Sequence, residues 1–126
     1  KRACTSLHAV LEGAQQPFVP IKTSWKLNER HYGALQGQNK ALLEQKMGAI
    51  VREWRRGYAA VPPIMEETHP HFKIIQEDRR YKGLKIPLSE SLEDTAERVL
   101  EYWKSDILPD IKQGKKILMV AHANTL

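Results

Sequence analysis

Apolar residues recur every three or four positions in three stretches of the chain, which is the spacing of one face of an α-helix. The first stretch runs from Ala3 to Ala14, and the second runs from Asn39 to about Arg56 with a break at Gly48. The third begins where Ser91 and Asp94 form a pattern similar to a helix-capping box. Its expected apolar stripe consists of Leu92, Ala96, Val99, Leu100, Trp103 and Ile107. The pattern therefore predicts three helices, of which the second is in two pieces.

Two shorter stretches have the hydrophobic pattern of β-strands. Residues Ile21 to Leu27 alternate, which is typical of a strand with one covered face. From Lys116 to Ala121 the run is continuously apolar after its first residue, as expected of a strand that is buried on both faces. Pro109 is expected to stop or kink the helix before this run, and Gly114 is expected to close the turn between them. Because helices and strands alternate, the sequence predicts an α/β fold.

Between the second and third helices, from Gly57 to Pro87, the periodicity is lost. This stretch contains prolines at four positions, Pro62, Pro63, Pro70 and Pro87. Long segments without regular structure in compact domains are usually functional lids or insertions. We therefore predict that residues 57–87 form a lid over an active site.

The composition is that of an ordinary globular domain. The chain has 126 residues, of which 41% are hydrophobic and 28% are charged, and this is enough for one domain with a single core. The single cysteine, Cys4, excludes an internal disulfide framework and fits a reducing compartment. No apolar run approaches the roughly 20 residues of a membrane-spanning helix. We therefore expect a cytoplasmic protein that has no membrane partner.

The net charge of +5 is compatible with nucleic acid, an anionic surface or small phosphorylated substrates as partners. The cations do not form one long basic tract. They occur as separated pairs, namely Lys1-Arg2, Arg55-Arg56, Arg79-Arg80 and Lys115-Lys116. Separated pairs are able to converge on a small polyanion, whereas a nucleic-acid function would depend on charge alone. We therefore expect small phosphorylated molecules as partners and no nucleic acid.

One loop, from Leu27 to Lys40, concentrates charged and polar side chains of several kinds. Arg30 offers a planar guanidinium fork that suits phosphate or carboxylate, and Lys40 offers a point charge. Glu29 is unsuited to holding an anion, which favours a role in proton transfer. Loop 27–40 is therefore a candidate anion-binding site with its own acid or base.

A second candidate follows the apolar run near the end of the sequence. His122 comes directly after this run, and Asn124 comes two residues later. In open α/β sheets, ligands bind beyond the carboxyl ends of the strands, so a polar pair there is a candidate for function. A histidine that is merely hydrogen-bonded at a strand end is an equally good interpretation.

The run from Trp25 to Gly37 resembles the signature of the cofactor-dependent phosphoglycerate mutases, which belong to the histidine phosphatase superfamily. The resemblance continues, in the family's order, through Trp54-Arg55-Arg56-Gly57, Val61-Pro62-Pro63, Asp78-Arg79-Arg80-Tyr81, Glu90-Ser91-Leu92 and Ala121-His122-Ala123-Asn124. It therefore spans nearly the whole chain. It implies a three-layer α/β/α sandwich around a mostly parallel sheet, of which residues 1–126 form a single, partial domain.

The resemblance also implies an activity. Members of the family interconvert 3-phosphoglycerate and 2-phosphoglycerate in glycolysis and gluconeogenesis through a phosphohistidine enzyme, which is primed by 2,3-bisphosphoglycerate and needs no metal. Glu29 matches the acid/base that exchanges a proton with the substrate hydroxyl, and His122 matches a histidine that stabilises the transferring phosphoryl group. The matched substrate-binding residues are Arg2, Arg30, His31, Tyr32, Lys40, Arg55, Arg56, Ala123 and Asn124. Family members commonly form dimers or tetramers, so a homo-oligomer is expected.

The chain departs from the family's pattern in two respects. The family's phospho-accepting histidine lies in an Arg-His-Gly motif, which the chain lacks, and His31 is followed by tyrosine and is not assigned that role. Ala123 replaces a glycine, a residue that permits close backbone approach or a positive φ, whereas Thr125 replaces a serine and keeps the hydroxyl. We therefore expect an internal segment of a longer protein and no turnover by this polypeptide alone.

Two alternative functions stay open. A bisphosphoglycerate mutase or phosphatase shares Glu29, the arginines and His122, so these residues separate it poorly from a mutase. The missing Arg-His-Gly motif and Ala123 favour a truncated, non-catalytic protein that binds anions or partner subunits. His69 and His71 have no third ligand nearby in sequence, so we expect no metal site.

Overall fold

The computed structural model describes all residues from Lys1 to Leu126, and its regular secondary structure is entirely helical. The α-helices are α1 (Arg2–Gly13), α2 (Lys40–Met47), α3 (Ile50–Arg56), α4 (Pro70–Gln76), α5 (Leu92–Tyr102) and α6 (Leu108–Lys112). Short 3₁₀ turns cover Trp25–Leu27, Gly33–Leu35 and Arg79–Tyr81, and a π-helical turn, Trp103–Ile107, joins α5 to α6. None of the helices is long and apolar enough to cross a membrane.

The chain divides into two compact units. The first unit consists of Lys1–Glu29 and Arg98–Leu126, and the second unit consists of Arg30–Glu97. One boundary falls inside loop 27–40 and the other falls inside α5. The first unit therefore contains both Glu29 and His122, whereas the second unit contains most of the residues that were predicted to bind an anion.

The predicted α/β sandwich with a parallel sheet is wrong, because no residue lies in a β-strand. The first expected strand, Ile21 to Leu27, ends instead in the 3₁₀ turn over Trp25–Leu27. The hydroxyl of Ser24 caps this turn by accepting a hydrogen bond from the backbone N–H of Lys26 at 3.2 Å. Serine side chains offer the backbone such local bonds in competition with a strand ladder, and here the local bond is formed.

The second expected strand, from Lys116 to Ala121, is neither regular nor buried. These residues form no hydrogen bond between backbone groups, and Ile117 and Leu118 are 41% and 57% exposed. A strand is stable only when a neighbouring strand completes its ladder of hydrogen bonds. An apolar run without such a neighbour therefore does not become a strand, which is why the sequence pattern alone predicted the wrong fold class.

The positions of the helices agree with the hydrophobic pattern. The first predicted helix is α1, and the second is divided into α2 and α3 around Gly48, whose φ of +68° suits glycine. The predicted capping box at the start of α5 is confirmed. The N–H of Asp94 donates to the hydroxyl of Ser91 at 2.9 Å, and the N–H of Ser91 donates to the carboxylate of Asp94 at 2.8 Å.

The buried face of α5 overlaps the predicted stripe only in part, because Ile107 is buried and Leu92, Ala96 and Val99 are partly buried. Thr95 and Arg98 are only 1% and 7% exposed, whereas Leu100 and Trp103 are 53% and 37% exposed. The face that carries Arg98 is turned inward because its guanidinium group is bound by backbone carbonyls, as described below. A buried cation has therefore displaced part of the apolar stripe.

The helical path continues past Pro109 instead of stopping there. The π-helical turn over Trp103–Ile107 carries the chain into α6, and Pro109 lies in the first turn of that helix. A proline is tolerated at this position because the missing N–H would have no partner within the helix. The path ends at Gly114, whose φ of +82° fits the closing role that was predicted for it.

The segment from Gly57 to Pro87 contains regular structure that the sequence pattern missed. The seven-residue helix α4 lies within it, and His69 caps this helix by accepting a hydrogen bond from the N–H of His71 at its Nδ1 atom. Seven residues are too short to show two full repeats of a helical pattern. The irregular character of residues 57–87 was therefore overestimated, and their role as a lid stays a prediction.

The second unit has a small apolar cluster that fixes loop 27–40 against the helices that follow it. Leu35, Leu43 and Val51 are buried in this cluster, and Tyr32 and Trp54 pack against it. Burying a side chain of this size contributes about 1.5–3 kcal/mol. The cluster therefore holds the part of the loop that begins at Arg30 in a defined position against α2 and α3.

Candidate functional site

In the first unit, the two predicted catalytic residues lie side by side. The Oε2 atom of Glu29 is 3.5 Å from the Nδ1 atom of His122, although the residues are far apart in sequence. Their side chains are 29% and 23% exposed, so both are partly accessible to solvent. A carboxylate is only an acceptor, and a neutral imidazole has one donor and one acceptor nitrogen. The carboxylate therefore favours the proton of His122 on Nδ1.

A buried arginine holds the backbone on which Glu29 lies. From α5, Nη1 of Arg98 donates to the carbonyl oxygen of Lys26 at 2.6 Å. Its Nη2 donates to the carbonyl oxygen of Asn28 at 3.0 Å and to that of Glu29 at 3.5 Å. The guanidinium carbon lies 5.8 Å from the centre of the Trp25 ring. One planar cation therefore contacts the segment from Trp25 to Glu29 along its whole length.

The turn that carries His122 is connected to the same segment. Its start and end are joined because the N–H of Thr125 donates to the carbonyl oxygen of His122 at 2.8 Å. The hydroxyl of Thr125, which is buried, donates to the carbonyl oxygen of Asn28 at 3.1 Å. Ala123 and Asn124 lie at the exposed side of this turn. The turn therefore presents His122 to Glu29 and leaves the two predicted substrate-binding residues accessible.

An ion-pair cluster on the same unit fixes the chain that leads to this segment. The carboxylate of Asp110 on α6 accepts hydrogen bonds from Lys115 at 2.6 Å and from Lys22 at 2.9 Å. These two hydrogen bonds, first that of Lys115 and then that of Lys22, lower the pKa of Asp110 to about 2. The same contact raises the pKa of Lys22. The two lysines therefore extend the range in which Asp110 is ionised to a more acidic pH.

In the second unit, Arg30 is buried and bound to the backbone. Arg30 is only 3% exposed. Its Nη2 atom donates to the carbonyl oxygen of Arg55 at 2.5 Å, and its Nη1 atom donates to the carbonyl oxygen of Gly57 at 3.5 Å. The guanidinium carbon lies 4.7 Å from the centre of the Tyr32 ring. Carbonyl groups at a helix C-terminus are favourable partners for a cation. Arg30 therefore closes the end of α3 and brings Tyr32 to the same place.

The other predicted anion-binding residues differ in their accessibility. Arg55 is partly buried and pairs with Glu44 at 3.6 Å, whereas Arg56 in the same turn is exposed. Lys40, the first residue of α2, is exposed and forms no ion pair. Arg2 is exposed on α1 in the other unit, where it contacts neither Glu29 nor His122. The structure therefore groups Arg30, Tyr32 and Arg55, with Arg56 adjacent, and does not bring Arg2 to the acid/base pair.

His31 is held through its backbone by a buried carboxylate. The N–H of His31 donates to Oε2 of Glu90 at 3.0 Å, and the N–H of Glu90 donates to the carbonyl oxygen of His31 at 2.8 Å. Glu90 is only 2% exposed. This reciprocal pair of hydrogen bonds fixes the peptide that follows Arg30, so His31 is positioned independently of its own side chain.

Glycines in loop 27–40 are required by the segment that packs on it. Gly33 has a φ of +58°, and a Cβ atom there would overlap the carbonyl oxygen of Pro63. The neighbouring N–H of Ala34 donates to the same oxygen at 2.8 Å. Gly37 has a φ of +73°, and a Cβ atom there would overlap the ring of His71. Residues of the predicted lid therefore lie directly against the loop.

Three residues that support the candidate site were not predicted to do so: Arg98, Glu90 and Thr125. Charged residues such as Arg98 and Glu90 are almost always exposed, so no local signal indicates that these two are buried. The hydroxyl of Thr125 was noted only as a substitute for serine. Their roles depend on backbone groups that are distant in sequence, and such pairings are not visible in a hydrophobic pattern.

No group of three or more His, Cys, Asp or Glu side chains lies close enough to hold a metal ion. A comparison with protein-family models found no match for the chain. The resemblance to phosphoglycerate mutases therefore rests on the residues themselves, above all on those of loop 27–40 and of the turn that carries His122.

Proposed function

We propose that the protein is a cytoplasmic isomerase that interconverts 3-phosphoglycerate and 2-phosphoglycerate, with Glu29 as its acid/base and His122 beside it. The observation that carries this proposal is the distance of 3.5 Å between Oε2 of Glu29 and Nδ1 of His122. The sequence nominates these two residues separately, and they lie far apart along the chain. A random pair of such residues has no reason to meet, so their proximity supports the assignment.

Each member of the pair has a distinct task in the proposed reaction. The carboxylate of Glu29 accepts the proton of the substrate hydroxyl as that oxygen attacks the phosphorus of a phosphohistidine. The P–N bond breaks and the imidazole, which the family carries in an Arg-His-Gly motif, is the leaving group. In the reverse transfer the carboxylic acid of Glu29 returns the proton to the substrate oxygen. With Nδ1 of His122 directed at Glu29, Nε2 is the ring nitrogen left for a phosphoryl oxygen, and it donates a hydrogen bond to that oxygen when the ring carries a proton on both nitrogens. A cation or donor at that point stabilises the negative charge that spreads over the transferring group.

In the second unit, exposed cations suit the phosphate and carboxylate groups of such substrates. Arg56 and Lys40 are exposed, and the buried Arg30 holds the end of α3 from which Arg55 and Arg56 project. These residues also fit 2,3-bisphosphoglycerate, which would supply the phosphoryl group that primes the enzyme. No histidine among the 126 residues is assigned as the phospho-acceptor, because none lies in an Arg-His-Gly motif.

A second candidate function is a non-catalytic protein that binds small phosphorylated acids. It is favoured by the state of Arg30, which is 3% exposed and donates to backbone carbonyls of α3 and the residue after it. In this role Arg30 would support the fold rather than contact a substrate. The absence of an Arg-His-Gly motif is consistent with the same interpretation.

The test measures conversion of 3-phosphoglycerate to 2-phosphoglycerate by the protein as isolated from its source, in the presence of 2,3-bisphosphoglycerate. We expect conversion, and we expect Glu29→Gln to reduce its rate by about 100-fold or more, the usual contribution of an acid/base residue. The matched control is Glu12→Gln, since Glu12 is exposed on α1 and should leave the rate unchanged.

The same experiment separates the two candidate functions. Absence of conversion, together with a higher melting temperature when 3-phosphoglycerate is added, would replace the isomerase with the non-catalytic anion-binding protein. Absence of both conversion and thermal protection would overturn both functions. A rate that Glu29→Gln leaves unchanged would remove Glu29 from the mechanism.

A further inference from the structure

We propose that Arg98 is a positioning residue that directs the Glu29 carboxylate towards His122. The proposal depends on the proposed function for the chemical task of Glu29, but the geometry stands independently of it. Arg98 is not among the candidate site residues that the sequence predicts. Its guanidinium group is buried and lies on the carbonyl side of the backbone that carries Glu29.

The hydrogen bonds of Arg98 determine the direction of the Glu29 side chain. They fix the carbonyl oxygens of Asn28 and Glu29, which belong to the peptide groups on either side of the Glu29 Cα atom. Peptide groups are planar and rigid, so fixing both of them fixes φ and ψ at the residue between them. The Cα–Cβ bond of Glu29 then has one direction, from which the carboxylate reaches His122 at 3.5 Å.

The same backbone also connects Glu29 to the turn of His122. The carbonyl oxygen of Asn28 accepts one hydrogen bond from Arg98 at 3.0 Å and another from the hydroxyl of Thr125 at 3.1 Å. Thr125 in turn closes the turn that begins at His122. The carbonyl group of Asn28, to which both Arg98 and Thr125 donate, therefore connects the backbone of Glu29 to the turn that carries His122.

Arginine suits this task better than lysine. The guanidinium group is planar and has several N–H donors in a fixed fork, whereas an ammonium group is a compact point charge. A lysine at position 98 would keep the positive charge and much of the packing against Trp25. It would not reach the carbonyls of Lys26, Asn28 and Glu29 together, so Arg98→Lys separates the positioning role from the presence of a cation.

The experiment measures the tautomer of neutral His122 by ¹⁵N NMR of the imidazole nitrogens in the full chain, without any phosphoglycerate. The wild-type protein is expected to have the proton on Nδ1, because Nδ1 faces the Glu29 carboxylate. Glu29→Ala is expected to return the ring to the ordinary Nε2–H form. Arg98→Lys is expected to do the same in a protein that stays folded. The matched control Arg52→Lys, at an exposed position on α3, should leave the wild-type signal unchanged.

Each outcome decides between positioning and mere structural support. A folded Arg98→Lys variant with the wild-type tautomer would overturn the proposal, and so would an Nε2–H form in the wild-type protein. If Arg98→Lys unfolds, Arg98→Met keeps a similar side-chain length and removes every donor to the carbonyls of Lys26, Asn28 and Glu29. Loss of the Nδ1–H signal in that variant supports the positioning role, and its persistence overturns it. None of these results depends on turnover, so they stay distinguishable from failure of the proposed function.

Discussion

Glu29 and His122 follow two segments of the chain that the structure holds by different means. The segment from Lys26 to Glu29 has its carbonyl groups bound by Arg98 and Thr125. The segment from Lys116 to Ala121, which leads to His122, forms no hydrogen bond between backbone groups. The first segment is irregular in sequence pattern but well held, whereas the second has the stronger pattern and no such support.

The difference shows that the two kinds of segment obtain their stability from different interactions. A hydrogen bond from a charged donor contributes about 1.5–3 kcal/mol, so one buried arginine is able to hold an irregular segment by itself. A strand obtains its stability from a neighbour that pairs with it and covers its side chains. With Ile117 and Leu118 exposed, that contribution is missing from residues 116–121. Side chain to backbone bonds therefore define the site in the first unit without any sheet.

The largest expected effect tests whether apolar side chains contribute only where they are covered. Leu43→Ala in the cluster of the second unit should lower the free energy of unfolding by about 2–5 kcal/mol, because Leu43 is 8% exposed. Leu118→Ala removes the same atoms from a side chain that is 57% exposed, and it should change stability by less than about 0.5 kcal/mol. Urea unfolding of the two variants checks the difference. A large cost at Leu118 would show that residues 116–121 are covered in solution, and the comparison would then fail.

A smaller loss of stability is expected from a substitution at Gly33, in the part of loop 27–40 that belongs to the second unit. Gly33→Ala should destabilise the protein by about 2–4 kcal/mol, because a Cβ atom at a φ of +58° would overlap the carbonyl oxygen of Pro63. The matched control is Gly13→Ala at the end of α1, where no atom lies within 4 Å of an added Cβ. That variant should be neutral or up to about 1 kcal/mol more stable. Equal melting temperatures for the two variants would contradict the tight packing of residues 57–87 on the loop.

The smallest effect concerns the exposed ion pairs that hold Lys22 and Lys115 to Asp110. The pKa of Asp110 is lowered to about 2 in the folded protein, so its contribution to stability is present above its ordinary pKa of about 4. That contribution is lost as the pH falls from about 4 to about 2. Asp110→Asn should therefore have a slightly lower melting temperature than the wild-type protein at neutral pH, and the two should converge near pH 2. If the melting temperatures of the two proteins still differ near pH 2, the charge of Asp110 is not the cause of the difference.

The sequence predicted the features that depend on neighbours a few residues away. The helices α1, α2 and α3, the break at Gly48 and the capping box of Ser91 and Asp94 all follow from such local signals. Glu29 and His122 are predicted as two separate candidates, from the chemistry of loop 27–40, from the position after the apolar run and from the resemblance to a family. Their proximity is not predicted. Local chemistry therefore sufficed for helix positions and for nominating site residues.

The features that the sequence failed to predict depend on partners that are remote along the chain. A strand at Lys116 to Ala121 requires a second strand, and an apolar run does not reveal whether one is present. The burial of Arg98 in α5 depends on carbonyl groups about 70 residues earlier, with which it bonds at separations of 70 and 72 positions. Hydrophobic periodicity assigned that helix face to Leu100 and Trp103, which are exposed. Polar contacts between residues that are far apart in sequence are therefore the part of the structure that hydrophobic periodicity does not predict.

The most direct measurement of the central claim is a ¹H–¹⁵N NMR titration of the 126-residue chain with 3-phosphoglycerate. We expect the largest shifts at the His122 imidazole and at the backbone amides of Glu29 and Asn124. These would place the ligand at Glu29 and His122 in the first unit. Shifts confined to the exposed pair Arg79-Arg80, or no shifts at all, would contradict the assignment of the site.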